Sequence, residues 1–278
     1  MMDLKVEDIL LSKNLTKVIN DDFCIFEADN FLPLDFYLAL EKSFPDLLEI
    51  QQETEKVDAY NRQSLRFNIS NLNKISNDFF IKNPEWSLFI SLLADKKFVY
   101  DALDLFDKKI SEHKGVKYSF RKRKYIKYVK KKYNLLNKLV NKLFNNISIN
   151  FMFSAAGPSE GLYPHTDSTN KLITLLLYFP EKNWRKEYHG ETSFFKLKNN
   201  VSQNKIKKWG LLGKKNTHIT DPKSVLEFRE NYTELYKSKY MPNMLAGFVK
   251  NNKSWHAIDP LVFPKNKLRR ALLINIFK

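Results

Sequence analysis

The sequence predicts an α+β protein in which a helical N-terminal half packs against a double-sheet core of the jelly-roll, or double-stranded β-helix, kind. Three observations carry that expectation. Apolar residues recur at helical spacing over 84–113 and again at Leu135, Leu136, Leu139 and Leu143. After Asn146 the pattern changes to short apolar runs bounded by glycine, proline and asparagine. Polar residues suited to holding an ion sit on runs far apart in the chain, as a closed pair of sheets would require. Residues 1–146 form the helical support, with a basic segment at 114–133; residues 147–278 form the core, with a basic insertion at 196–240.

Taken in order, 22–27 reads as a short strand. Asp29-Asn30-Phe31-Leu32-Pro33 leads into an amphipathic helix with Leu34, Tyr37, Leu38 and Leu40 on or near one face, ending at Phe44-Pro45. Residues 51–83 are polar and irregular, with Arg62 and Arg66 near Tyr60 and Phe67, and read as a surface segment of the kind that can flank a site. From Pro84 to about His113, Trp86, Phe89, Leu92, Leu93, Phe98, Ala102, Leu103 and Phe106 make a core-packing stripe.

The core opens with a β-run over 147–153, turns at Ala155-Ala156-Gly157-Pro158, and continues in a strand over 161–167. Residues 171–179 form a nearly continuous apolar strand buried on both faces, and 188–195 a further strand entered through Gly190. Asp221-Pro222 offers a capping acid and a first-turn proline for a helix expected to reach about Lys239. Strands over 243–250, 254–262 and 269–277 close the chain.

Composition narrows the function. With 278 residues, 43% hydrophobic and 14% aromatic, the chain is globular and long enough to bury a large core. The apolar runs at 89–94 and 172–179 are too short to cross a bilayer, and the first sixteen residues lack the apolar stretch of a signal peptide, so a cytoplasmic location is expected. A single cysteine, Cys24, excludes an internal disulfide framework and reads as a buried, inert thiol.

The net charge of +16 is concentrated in two acid-free stretches, with twelve Lys or Arg over 114–150 and seven over 192–220. Aromatics alternate with cations over 117–128. That pattern suits stacking on bases and contact with phosphates, and it equally suits a hairpin with a solvated face.

The chemistry centres on Tyr163-Pro164-His165-Thr166-Asp167-Ser168. Side chains two apart on an extended strand leave the same face, so the His165 imidazole and the Asp167 carboxylate can grip one ion. A surface turn explains the pair when it is taken alone, because chance supplies roughly 0.3 such pairs in a chain of this composition. The best third corner is His256, in Ser254-Trp255-His256-Ala257-Ile258. Two imidazoles and one carboxylate make the facial triad that holds non-haem Fe(II) with coordination positions left open. Alternation turns Trp255 away from that site and into the core. His113 falls at a helix end, His189 has a local structural role on a strand beside the site, and His218 lies solvated in the basic insertion.

The order His165-x-Asp167, apolar strand, Gly190-Glu191-Thr192, Trp255-His256, Arg269-Arg270-Ala271-Leu272 resembles that of the Fe(II)- and 2-oxoglutarate-dependent oxygenases. The likeness is greatest to the prolyl-hydroxylase-like branch and covers 147–278. It implies that His165, Asp167 and His256 ligate iron and that 2-oxoglutarate chelates the metal through its 1-carboxylate and keto oxygen. It also implies that Arg269, thirteen residues after His256, meets the far carboxylate with two parallel hydrogen bonds. Ala271 would point inward beside that cation, and Arg270 would point the other way as a rim charge. Tyr163 could reach the cosubstrate, although packing explains it.

The implied reaction consumes dioxygen and 2-oxoglutarate, yields succinate and carbon dioxide, and hydroxylates an unidentified substrate such as a prolyl or other amino-acid side chain, with ascorbate as a further cofactor. The basic segments also admit an anionic substrate, nucleic acid or a phosphorylated glycan. Residues 269–275 do not, however, reproduce the Arg-x-Asn-x-x-x-Arg tail of nucleic-acid demethylases. A silent jelly roll that binds a partner is the reading of a different class, and the joint presence of three ligands and an arginine speaks against it.

Overall fold

The computed structural model describes residues 4–20, 22–46, 65–69, 79–114, 147–158, 161–199, 201, 219, 221–265 and 267–278. Two antiparallel sheets carry the fold. The larger has seven strands in the order β1 (Lys17–Asn20), β2 (Cys24–Ala28), β9 (Leu245–Val249), β6 (Lys171–Tyr178), β11 (Arg269–Phe277), β4 (Ser148–Ala156) and β3 (Leu65–Asn68). The smaller has the order β5 (Leu162–His165), β10 (Trp255–Ile258), β7 (Ser193–Leu197) and β8 (Tyr232–Lys237). The larger sheet therefore takes strands from both sides of residue 146.

Alternation along the central strands sets what each face does. On β11, Leu272, Ile274 and Ile276 join the main hydrophobic core, whereas Arg269, Ala271, Leu273 and Asn275 take the opposite face. The outer face is covered by α2 (Leu34–Lys42), α4 (Pro84–Leu93) and α5 (Lys96–Leu105), numbered after α1 (Leu11–Asn14) and α3 (Phe79–Lys82). Trp86 meets Phe153 edge-on at 4.8 Å and Tyr37 stacks on Phe179 at 5.1 Å, so the helical aromatic stripe is core, as expected. The inner face meets the smaller sheet through Phe23, Phe194 and Phe248, with Phe194 and Phe248 5.5 Å apart. Gly247 is required where strand and ring touch, because a Cβ there would lie 2.5 Å from the Phe26 ring.

Several boundaries differ from the sequence expectation. The stretch expected to be irregular contains β3 and α3, and β1 precedes the first expected strand. The long helix over 84–113 is three: α4, α5 and α6 (Asp107–Lys114), divided where Asp95 caps α5 by accepting from the Lys97 N–H. Leu34 and Leu38 are 64% and 46% exposed; α2 instead buries Phe36, Tyr37 and Leu40.

The helix begun by Asp221 and Pro222, α7 (Pro222–Asn231), stops eight residues short of the expected end. The alternating sequence from Tyr232 to Lys237 pairs with β7 instead, as β8. β7 begins at Ser193 rather than 188, after a 3-10 turn at Lys186–Tyr188, while β4 runs on through Ala156 and β9 and β10 are shorter than expected. The cation-rich stretch 117–128, the expected helix near 135–143, Arg62 and most of the insertion over 202–218 lie outside the described residues.

Candidate metal centre

The two imidazoles come together through strand register. β5 and β10 are antiparallel neighbours, and His165 stands directly opposite His256, with ring centroids 4.2 Å apart. Each ring is oriented by a carbonyl two residues back: His165 Nδ1 lies 2.9 Å from the Tyr163 oxygen, and His256 Nδ1 lies 3.0 Å from the Ser254 oxygen. With the proton on Nδ1 in both, the lone pair that can hold a metal falls on Nε2. The Phe248 ring, 4.6 Å from His256, walls this side with carbon.

Asp167 is not on the strand, as the sequence suggested; β5 ends at His165. A tight turn follows, in which Lys171 N–H donates to the Ser168 carbonyl and returns the chain into β6. That turn brings two partners back onto the carboxylate. Lys171 Nζ lies 2.8 Å from Oδ1, and Thr174 Oγ1 donates to Oδ2 at 2.8 Å. Burial works to raise the Asp167 carboxyl, but the Lys171 ammonium, through its charge and its hydrogen bond, leads the groups that outweigh it and hold the carboxyl well below the usual carboxylate range. One ligand atom from each of His165, Asp167 and His256 lies within 4.8 Å of the others, and all three residues are buried.

Arg269 is the second feature. It opens β11 on the inner face and is 1% exposed. Its Nε donates to the Gly190 carbonyl at 2.6 Å and its Nη2 to Thr192 Oγ1 at 3.4 Å; the Tyr178 and Tyr240 rings flank it at 5.4 and 5.2 Å. Both polar partners are neutral, and no carboxylate among the described residues pairs with this guanidinium. A buried charge without a counter-charge is costly and marks a place for an anion. Tyr178 also bonds to Thr192 and Ser238, at 2.9 and 2.8 Å, and burial raises its hydroxyl above the ordinary range despite the nearby Arg269.

Arg270 points to the outer face, as alternation requires, but as more than a rim charge. Its Nε donates to the Phe179 carbonyl and its guanidinium lies over Phe44. Trp255 fills the core beside Phe228, and Tyr163 packs with the same cluster. His189 sits at the end of the 3-10 turn, not on a strand; its carbonyl accepts from Trp184 Nε1 at 2.8 Å. The His113 side chain and His218 lie outside the described residues. Burial pushes the Cys24 thiol up to about 11, which keeps it protonated and inert.

Sequence reasoning missed Lys171, Thr174, Tyr178 and Tyr240. Thr174 and Tyr178 left a signal, since they interrupt the run 172–179 at positions sharing one face of the strand.

No protein-family model matches the chain, and no curated protein matches it in sequence. Among solved structures, the fold is similar to a prolyl-4-hydroxylase of Pseudomonas putida, with 12% identity over 98% of this chain and 96% of that one and a TM-score of 0.39. It is similar to a prolyl hydroxylase of Trichoplax adhaerens in complex with a hypoxia inducible factor peptide fragment, with 11% identity over 93% and 84% and a TM-score of 0.45. HygX of Streptomyces hygroscopicus, with nickel and 2-oxoglutarate bound, gives 9% identity over 91% and 82% and a TM-score of 0.43. Independently of these likenesses of fold, the chain carries a buried His–Asp–His triad.

Proposed function

We propose that this chain is an Fe(II)- and 2-oxoglutarate-dependent oxygenase with a jelly-roll core, which hydroxylates an amino-acid side chain. The observation that carries the reading is a buried guanidinium on the inner face of the larger sheet with no carboxylate partner among the described residues, together with a buried triad whose two imidazoles stand on the smaller sheet. The donor set fits the metal: two neutral imidazoles and one carboxylate suit Fe(II) and leave open positions. Arg269 fits the cosubstrate, offering a planar fork to a carboxylate at the end of the site remote from the metal.

When bound, iron with 2-oxoglutarate and dioxygen supplies the oxidising power, with ascorbate as the auxiliary reductant. The chain's own residues do the rest. His165, Asp167 and His256 hold the ion from one side, while Thr174 and Lys171 fix the carboxylate. Tyr178 and Tyr240 wall the guanidinium and keep water from it, so that its attraction for a carboxylate acts in a medium of low dielectric.

The test is succinate formation from 2-oxoglutarate by protein reconstituted with Fe(II) in the absence of air and then exposed to it. Wild type should form succinate only with iron. His165→Ala and Asp167→Ala should lose metal binding, and Arg269→Ala should keep the metal but need at least tenfold more 2-oxoglutarate. Iron-loaded wild type that neither binds nor consumes 2-oxoglutarate would overturn the reading. An equal loss on Arg270→Ala, with Arg269→Ala silent, would move the cosubstrate to the outer face.

A further inference from the structure

Neither the ligands nor the cosubstrate cation account for a row of polar side chains on the inner face. β4, β11 and β6 are consecutive in the larger sheet, and Asn150, Asn275 and Thr174 stand directly opposite one another across them. The next inward positions on the same strands are Met152, Leu273 and Leu176, all apolar. The row starts at the metal centre, where Thr174 Oγ1 donates to Asp167 and lies 3.4 Å from Asn275 Oδ1. It ends at Asn150, whose Oδ1 is buried and, among the described residues, finds no hydrogen-bond partner.

That orphan oxygen is informative. Directly opposed side chains on antiparallel strands have Cβ atoms about 5 Å apart, close enough for two carboxamides to satisfy each other. A carboxamide kept for the fold alone is as a rule paired, because a buried polar atom left unmade is destabilising. Its place in the site is equally telling. Arg269 pairs with Ala156 at one end of β4 and β11, and Asn275 pairs with Asn150 near the other. Six residues along a strand separate the two ends by roughly 20 Å. The cation takes one end of the strand and the carboxamides the other, and Thr174 joins the carboxamide end to the Asp167 carboxylate. Asn150 as a whole is only half-buried, which puts it where a ligand can arrive.

We propose that Asn150 and Asn275 are the substrate-orienting edge of this site and that they select a group with the paired donor and acceptor of an amide, a peptide bond or a carboxamide. Asn150 takes the N–H, and Asn275, held through Thr174, fixes the distance to Asp167. The inference rests on the metal centre described above and adds the chemical class of the substrate.

The experiment uses the full chain loaded with Mn(II), and two small probes of nearly the same shape: N-methylacetamide, and methyl acetate, which lacks the N–H. Paramagnetic relaxation of the probe methyl protons reports how near the ion each resides. At matched Mn(II) occupancy, wild type should relax N-methylacetamide at least threefold more than methyl acetate, and the ratio should fall to about one in Asn150→Leu. Asn150→Ala, which only removes atoms, carries the test if the leucine variant does not fold. Equal relaxation of the probes in wild type, or a preference that survives in the variants, overturns the proposal while leaving the metal centre standing. Failure of wild type to bind Mn(II) removes the metal centre itself, and this inference with it.

Discussion

Lys171 places a positive charge where a second positive charge is expected. Its ammonium sits 2.8 Å from the oxygen of Asp167, the one anionic member of the triad. At about 5 Å and an effective dielectric near 20, it would repel a divalent ion by about 7 kcal/mol. The hydrogen bond it donates contributes about 1.5–3 kcal/mol to holding the carboxylate, and Thr174 holds the other oxygen in any case. Repulsion therefore wins: Lys171→Met should bind Mn(II) at least tenfold more tightly in a calorimetric titration, and weaker binding would show that orientation matters more than charge. The grouping of the triad was legible in the sequence because histidine is rare in this chain and the His-x-Asp spacing is informative, and the side of β11 that Arg269 takes followed from alternation. Lys171 and Asn150 were not, because nothing in a lysine or an asparagine reveals its partner before the turn at 168–171 and the register of β4 on β11 are fixed.

At the scale of elements, the segment between the 3-10 turn and β7 does more than connect. Gly190 has φ +117, and a Cβ there would lie 2.7 Å from Tyr240 Cδ1, so only glycine can present its carbonyl to Arg269. Gly190→Ala should cost roughly 1–3 kcal/mol in urea unfolding through backbone strain. It should also weaken 2-oxoglutarate binding more than Mn(II) binding; an equal loss of both would mean the damage spreads through the fold. Glycine and proline marked where elements start more often than where they end, Phe44-Pro45 after α2 being an exception. Asp221 Oδ1 does accept from the Ser224 N–H at 2.8 Å, as its place before Pro222 foretold. The end of α7 was hidden because nothing in its last turn stops a helix, and it is pairing with β7 that takes up Tyr232 onward. β3 was missed for the same reason: its four residues become a strand by joining the edge of β4.

The molecule as a whole is a two-sheet sandwich with helices on one side, and its class was readable from the change of periodicity after Asn146. The order of strands was not, since it depends on pairings between residues up to 223 positions apart, such as Ile25 with Phe248. Among the described residues no helix is long and apolar enough to cross a membrane. The facing of His165 and His256 has a consequence at this scale. An ion held by both would fasten chain positions about 90 residues apart, and a crosslink restricts an unfolded chain more the longer the loop it closes. Mn(II) at a hundred times its dissociation constant should add about 2.7 kcal/mol to stability and raise the melting midpoint, with chelator reversing the gain and His165→Ala abolishing it. A rivet of that kind would tie persistence to metal supply: without the ion, the same polypeptide would be softer prey for proteases.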